Sequence, residues 1–194
     1  MAAPPLKILV IGPSKAGKTG AASFLAGSHA SPLYAPGPTA GVRVQAFERA
    51  GHAVELWDVS GDQGFESAWP AVQKDAEAVL LMWNGDAAGH AKEAELWLQW
   101  FRPRRGCAAA VCLTSAPGAA SPPAEAGGNP NPAGLAMPTA PAPGAPGHGA
   151  LAAAPEVLHV DACGDGLRRA LDRLIRAAAR ARETGGGGGG KIDS

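Results

Sequence analysis

Eight residues limit what this chain can fold into: Gly12-Pro13-Ser14-Lys15-Ala16-Gly17-Lys18-Thr19. They fit the pattern G-x-x-x-x-G-K-[ST]. The apolar run Leu6–Ile11 precedes them, and a helix-like segment from Gly17 to Leu25 follows. A strand, a glycine-rich loop and a helix N-terminus in that order build a cradle for phosphate. The helix end offers unpaired N–H groups and the positive end of a dipole to a polyphosphate. Gly12 and Gly17 let the backbone close in where a Cβ would clash. Lys18 reaches the terminal phosphates, and the Thr19 hydroxyl is placed to ligate Mg²⁺.

The remaining pattern fits the sheet such a loop requires. Leu6–Ile11 is short, continuous and apolar, as a buried parallel strand is. Gly17–Ala26 reads as the first helix, and 28–39 as a loop carrying Pro32, Pro36 and Pro38. Val42–Glu48 alternates like an edge strand; a tight turn at Ala50-Gly51 leads to a second strand, His52–Asp58. Gly61–Asp75 begins as a loop and turns helical around Trp69–Lys74. Ala78–Trp83 and Ala109–Leu113 are further apolar strands. Between them, His90–Phe101 offers an apolar helical face of Ala94, Leu96, Trp97, Leu98 and Phe101. Val157–Val160 is a short strand. Leu167, Ala170, Leu171, Leu174, Ile175 and Ala178 then recur at helical spacing, with Asp165 as the expected N-cap and Gly185 as the stop. Strands alternating with helices imply a three-layer α/β sandwich with a mostly parallel sheet. The nucleotide belongs at the carboxyl ends of its strands.

Composition divides the chain. Large apolar residues concentrate before position 114, whereas Ser115–Pro155 is dominated by Ala, Pro and Gly. Such a stretch cannot bury enough surface to offset its ordering entropy, so a disordered insert is expected over 115–155. The expected domain is 6–183, followed by a flexible tail over 184–194 that holds the hexaglycine Gly185–Gly190. Lys and Arg total 17, as do Asp and Glu, giving a formal net charge of zero. That balance points away from nucleic acid and from anionic membrane. Six arginines between Arg168 and Arg182 occupy the other faces of the last helix, as a solvated face or as a partner contact. Cys107, Cys112 and Cys163 form no metal-ligand spacing and read as buried free thiols in a reducing compartment. No targeting segment, lipidation site or apolar run of about 18 residues is found, so a partner is expected to carry the chain to any membrane.

Two further elements complete the phosphate end. Asp58 closes the strand in Trp57-Asp58-Val59-Ser60-Gly61 and can hold a Mg²⁺-bound water, while the Gly61 amide can face a γ-phosphate. Thr39, in Pro38-Thr39-Ala40-Gly41, sits in a loop before the edge strand and can complete Mg²⁺ coordination. The expected nucleotide-binding set is therefore Gly12, Pro13, Ser14, Lys15, Ala16, Gly17, Lys18, Thr19, Thr39, Asp58 and Gly61. Its metal ligands are Thr19, Thr39 and, through water, Asp58.

A P-loop, P-T-x-G and D-x-x-G in this order resemble the small Ras-like GTPases. The strings Leu56-Trp57-Asp58-Val59-Ser60-Gly61-Asp62, Phe65-Glu66-Ser67-Ala68-Trp69-Pro70-Ala71, Lys74-Asp75-Ala76 and Glu93-Ala94-Glu95-Leu96-Trp97 narrow it. They resemble the Rab-like small GTPases of the intraflagellar transport B complex, over about residues 6–113 and weakly again over the last strand and helix. The resemblance implies a six-stranded, mostly parallel sheet with one antiparallel edge strand. It implies GTP or GDP with Mg²⁺ as cofactors. As partner it implies the coiled-coil heterodimer of the B core complex. It places the chain in the cilium or flagellum and the basal body region, with a cytoplasmic pool.

The departures from that family are informative. Guanine is normally selected by N-K-x-D after the fifth strand, but the corresponding Thr114-Ser115-Ala116-Pro117 has no carboxylate. A site that leaves the base N–H groups unpaired discriminates weakly. Asn84-Gly85-Asp86 reads as a helix-entry turn, which leaves Asp161 and the adjacent Ala162 as base contacts. The water-positioning glutamine should follow Gly61. Asp62 stands there and Gln63 is one place late, so these two are the only catalytic candidates, and slow hydrolysis is expected.

Three functions compete. A nucleotide-dependent binding module would order two loops through Thr39 and Gly61. Trp69, at the exit of the second loop, is either a partner anchor or a core tryptophan beneath it. An enzyme would be a GTPase completed by a partner's catalytic group, or a P-loop phosphotransferase. The phosphotransferase needs an arginine-rich lid, and the insert holds neither Arg nor Lys. A scaffold that binds no nucleotide is disfavoured by Lys18, Thr19 and Asp58.

Overall fold

A computed structural model describes residues 3–32, 37–101, 107–113, 157–160 and 164–185. The strands are β1 (Leu6–Ile11), β2 (Val42–Arg49), β3 (His52–Val59), β4 (Ala78–Asn84), β5 (Cys107–Leu113) and β6 (Val157–Val160). The helices are α1 (Lys18–Leu25), α2 (Trp69–Gln73), α3 (His90–Trp100) and α4 (Asp165–Gly185), and a 3₁₀ segment, Gln63–Ala68, leads into α2. The strands lie in the order β2-β3-β1-β4-β5-β6. β2 pairs antiparallel to β3, and every other pairing is parallel. The sheet is therefore mixed, with its antiparallel member at one edge.

Alternation along the strands explains the layers. Successive strand side chains point to opposite faces. Leu6, Ile8 and Val10 of β1, with Val54, Leu56, Leu80 and Met82, pack against α1 and α4. Leu9 and Ile11, with Val59, Val79 and Leu81, pack beneath Trp69, Val72, Ala94, Trp97 and Phe101 on the other side. Strands buried on both faces read as continuous apolar runs for this reason. Trp69 is a core residue, 7% exposed, with ring centroids 4.9 Å from Trp97 and 5.3 Å from Phe101. Of its two sequence readings, the core one holds.

Boundaries shift where caps lie. Gly17 is the N-cap of α1 and Ala26 its C-cap, so the helix is one residue shorter at each end than the sequence suggests. Asp165 is the first residue of α4 rather than the residue before it; there it favours the helix dipole and lies 3.6 Å from Arg168. The β2–β3 turn has positive φ at both Ala50 and Gly51, the backbone of a two-residue hairpin. The expected insert over 115–155, nearly all of the tail, Cys163, and the side chains of Cys107 and Cys112 fall outside the described residues. Among the described residues no helix is long and apolar enough to cross a membrane.

One polar clamp fastens the amino ends of the strands. Arg182 of α4 donates through Nε to Glu77 Oε1 at 2.7 Å and through a second nitrogen to Glu77 Oε2. The same guanidinium donates to the carbonyls of Pro4 and Pro5. A planar fork can satisfy a carboxylate and two carbonyls at once, as an ammonium cannot. We expect Arg182→Ala to lower unfolding stability by about 1–3 kcal/mol in denaturant titration. Arg182→Lys should recover only part of the loss.

Candidate nucleotide site

The site is built at the carboxyl ends of β1 and β3. The chain leaves β1 through Gly12 at φ 139, and a Cβ there would stand 1.9 Å from the Met82 carbonyl oxygen of β4. The glycine is thus demanded by the neighbouring strand as well as by phosphate approach. Lys15 adopts φ 62 and Gly17 φ 81. Left-handed residues alternating with right-handed ones turn successive N–H groups into one concavity, an anion nest. The first N–H groups of α1, from Lys18 onward, have no partner within the helix and open into the same space.

Lys18 runs back across this loop. Its Nζ donates to the carbonyls of Gly12 at 2.8 Å and Pro13 at 2.6 Å. The residue is only 6% exposed. Burial pulls its pKa down from 10.5 to about 8, against the pull of the Asp58 and Glu93 carboxylates, which favour the cation. A buried ammonium held by two carbonyls is a charge waiting for a stronger counter-ion. Glu93, at the start of α3, is thus an electrostatic neighbour of the phosphate loop. No local signal marks it, because only the packing of α3 on β4 brings it within electrostatic reach.

The three expected metal groups meet. Thr39 Oγ1 lies 2.8 Å from Thr19 Oγ1 and donates to Asp58 Oδ2 at 2.8 Å. Asp58 is fully buried, and its Oδ1 has no hydrogen-bond partner. An ionised carboxylate out of water is costly unless paired. Two hydroxyls and an orphaned carboxylate oxygen form the oxygen donor set that Mg²⁺ uses beside phosphates. Among the described residues no cluster of three His, Cys, Asp or Glu offers another metal site. The residues present fit the ion.

The two loops are also tied to each other and to the cradle. The Ser60 N–H donates to the Gly41 carbonyl at 2.8 Å. Gly61 presses on the cradle so closely that a Cβ would stand 2.5 Å from Ser14 N. Any side chain at 61 would push the D-x-x-G loop off the phosphate loop. Ser60, 4% exposed, accepts from the Asp62 N–H at 3.1 Å.

The catalytic candidates are placed differently. Asp62 is exposed, and its carboxylate accepts from the Gly64 N–H at 2.9 Å as the N-cap of the 3₁₀ segment. Gln63 is the first residue of that segment. Asn84 Oδ1 accepts from the Asp86 N–H at 2.9 Å, so the Asn84–Asp86 stretch is the helix-entry turn expected. Asp161, Ala162 and Thr114–Pro117 lie outside the described residues.

Comparison with known proteins agrees with the fold. Residues 7–115 match the family described as Ras of Complex, Roc, domain of DAPkinase. The zebrafish (Danio rerio) intraflagellar transport protein 22 homolog is 41% identical over 117 residues, covering 56% of this chain and 63% of the relative. The chain therefore spans less than two thirds of that relative's length. The GTP-bound crystal structure of T. brucei IFT22/74/81 superposes with a TM-score of 0.65 at 27% identity, covering 94% of this chain and 99% of the other. The GDP-bound crystal structure of T. brucei IFT22 gives 0.58 at 27% identity, covering 93% and 99%. The Roc match alone covers more than half of the sequence, and with it the chain belongs to the Roc family of Ras-like GTPase domains.

Proposed function

We propose that this chain is a small GTPase-like subunit of the intraflagellar transport B complex, a binding module whose shape depends on nucleotide and whose intrinsic hydrolysis is slow or absent. The observation that carries the reading is the meeting of Thr19, Thr39 and Asp58 around an unpartnered carboxylate oxygen. GTP or GDP is the ligand. Residues 12–19 hold its phosphates, with Lys18 as counter-charge, and Gly61 offers its amide to the γ-phosphate. Thr19, Thr39 and Asp58, the last through water, hold Mg²⁺. When bound, that ion neutralises phosphate charge. Thr39 joins its loop to the cradle, and Gly61 joins the second loop, so the two loops take one arrangement with a γ-phosphate and another without it.

Asp161 and Ala162 are the proposed base contacts. The domain runs from 6 to 183 with its insert at 115–155. The named relative in a complex of IFT22, IFT74 and IFT81 supports a partner within the B complex, proposed as its core coiled-coil heterodimer. Nucleic acid is not a partner. The same likeness supports residence in the cilium or flagellum, at the basal body and in a cytoplasmic pool, with membranes reached through the partner.

Asp58→Asn should remove the Mg²⁺ dependence of GTP binding. In the wild-type chain, chelating Mg²⁺ should weaken GTP binding by about 10- to 100-fold, and in the variant by little. Equal sensitivity in both would overturn the metal assignment.

Lys18 gives a pH signature with two opposite signs. Its pKa in the free fold is about 8, below the 10.5 of an unfolded chain. The unfolded state therefore binds more protons between these values, so this group's contribution to fold stability rises as pH goes from about 8 to 10.5. Phosphate binding needs the cation, so GTP affinity should fall as pH rises above about 8. Lys18→Ala should abolish binding, and any residual affinity should lose this dependence.

Asp62→Ala should leave GTP turnover unchanged, at or below the ~10⁻⁴ s⁻¹ of unassisted sites of this type. A large loss of turnover would make Asp62 catalytic.

A further inference from the structure

The phosphate loop carries a second lysine that the pattern G-x-x-x-x-G-K-[ST] does not ask for. Residues 13–16 form a tight turn, closed by the Ala16 N–H donating to the Pro13 carbonyl at 3.4 Å. Lys15 is the third residue of that turn and stands at φ 62. This left-handed backbone helps shape the anion nest, and glycine adopts it at lower cost than a residue with a Cβ. Glycine would therefore serve the turn better; what lysine adds is an ammonium on a flexible stem. The two lysines of the loop are held in opposite ways. Lys18 is buried and donates to the Gly12 and Pro13 carbonyls. Lys15 is exposed and has no hydrogen bond or ion pair among the described residues.

The place of Lys15 gives that charge a use. A Cβ on Gly61 would lie 2.5 Å from Ser14 N and 2.7 Å from the Pro13 carbonyl carbon. The D-x-x-G loop thus abuts the turn one residue before Lys15. Successive Cα atoms are about 3.8 Å apart and a lysine stem spans about 6 Å, so the ammonium can reach a phosphate held against the Gly61 amide. Asp58 Oδ1, buried and without a partner on the adjacent strand, is an independent sign that a ligand completes this space. We propose that Lys15 is a specificity-determining residue of the nucleotide site: its ammonium pairs with the terminal phosphate of GTP and biases the site towards the triphosphate over the diphosphate. The proposal rests on the reading of the site as one for GTP and GDP. Lys18, inside the loop, serves the β-phosphate that both nucleotides carry as well as the γ-phosphate. Lys15, beside Gly61, gains its partner only with the third phosphate. A charge-assisted hydrogen bond to phosphate outweighs an ordinary surface ion pair, and exposure makes it sensitive to salt.

The test titrates the full chain, in the presence of Mg²⁺, with fluorescent methylanthraniloyl derivatives of GTP and GDP. Lys15→Gln should weaken GTP binding by about five- to tenfold and GDP binding by no more than about twofold. Lys15→Arg keeps the charge and should stay within about twofold of the wild type for both. Lys15→Gly removes the charge and relaxes the backbone, so it should show the same selective loss while melting at or above the wild-type temperature. Added salt should narrow the preference for GTP in the wild type more than in Lys15→Gln. Lys74→Gln makes the same charge change beside α2 and should leave both affinities as they are. An equal loss for both nucleotides, no loss in Lys15→Gln, or a wild-type preference in Lys15→Gly would overturn the proposal and leave the nucleotide site standing. A wild-type chain that binds neither nucleotide would overturn the reading of the site, and this proposal with it.

Discussion

The hydrogen-bond chain from Thr19 through Thr39 to Asp58 is the contact on which the functional end of this fold depends. It joins the first turn of α1, a loop of some twenty residues' separation and the end of β3 through one hydroxyl. Asp58 alone would be a buried charge of high cost, since desolvating a carboxylate costs on the order of several kcal/mol. One oxygen is met by Thr39, and the other is left for a ligand. The sheet supplies the rigidity that makes this tolerable. β1 and β3 are adjacent and parallel, with Val10 opposite Asp58, so the cradle and the carboxylate leave the same edge side by side.

Lys18 is governed by the same physics with the opposite sign. Its ammonium is buried, shared between two carbonyls and pulled towards deprotonation. A cation and an anion, each incompletely compensated, face one space lined with backbone N–H groups. That is an arrangement for a polyphosphate with a divalent ion. The carboxylate of Asp62 caps the 3₁₀ segment. Gly41 and Gly61 make the two loops contact each other and the cradle, so a change at the phosphate reaches both.

Much of this was legible in the residues. The apolar runs of β1, β3 and β4 marked strands covered on both faces, and the eight-residue motif fixed where the sheet opens. Thr39 and Asp58 were legible because each ends or precedes a strand at a short distance from a turn glycine. Other features depend on contacts between segments distant in sequence, which no local pattern records. The requirement for glycine at 12 comes from the Met82 carbonyl, 70 positions away in the chain. The core role of Trp69 is set by Trp97 and Phe101 on α3. Asp165 shows the limit of cap reading: an acidic residue favours the residue before a helix and the first turn alike, and sequence does not separate the two.

The proposed role as a holder of nucleotide rests on the phosphate loop and on the meeting of Thr19, Thr39 and Asp58. The most direct measurement is of the nucleotide itself: chromatographic identification of what the purified chain retains, with titration of GTP and GDP in the presence of Mg²⁺. Retained guanine nucleotide, or binding at micromolar concentration or tighter, is the predicted result. Failure to bind either nucleotide at that level, with Mg²⁺ present and the chain folded, would contradict it.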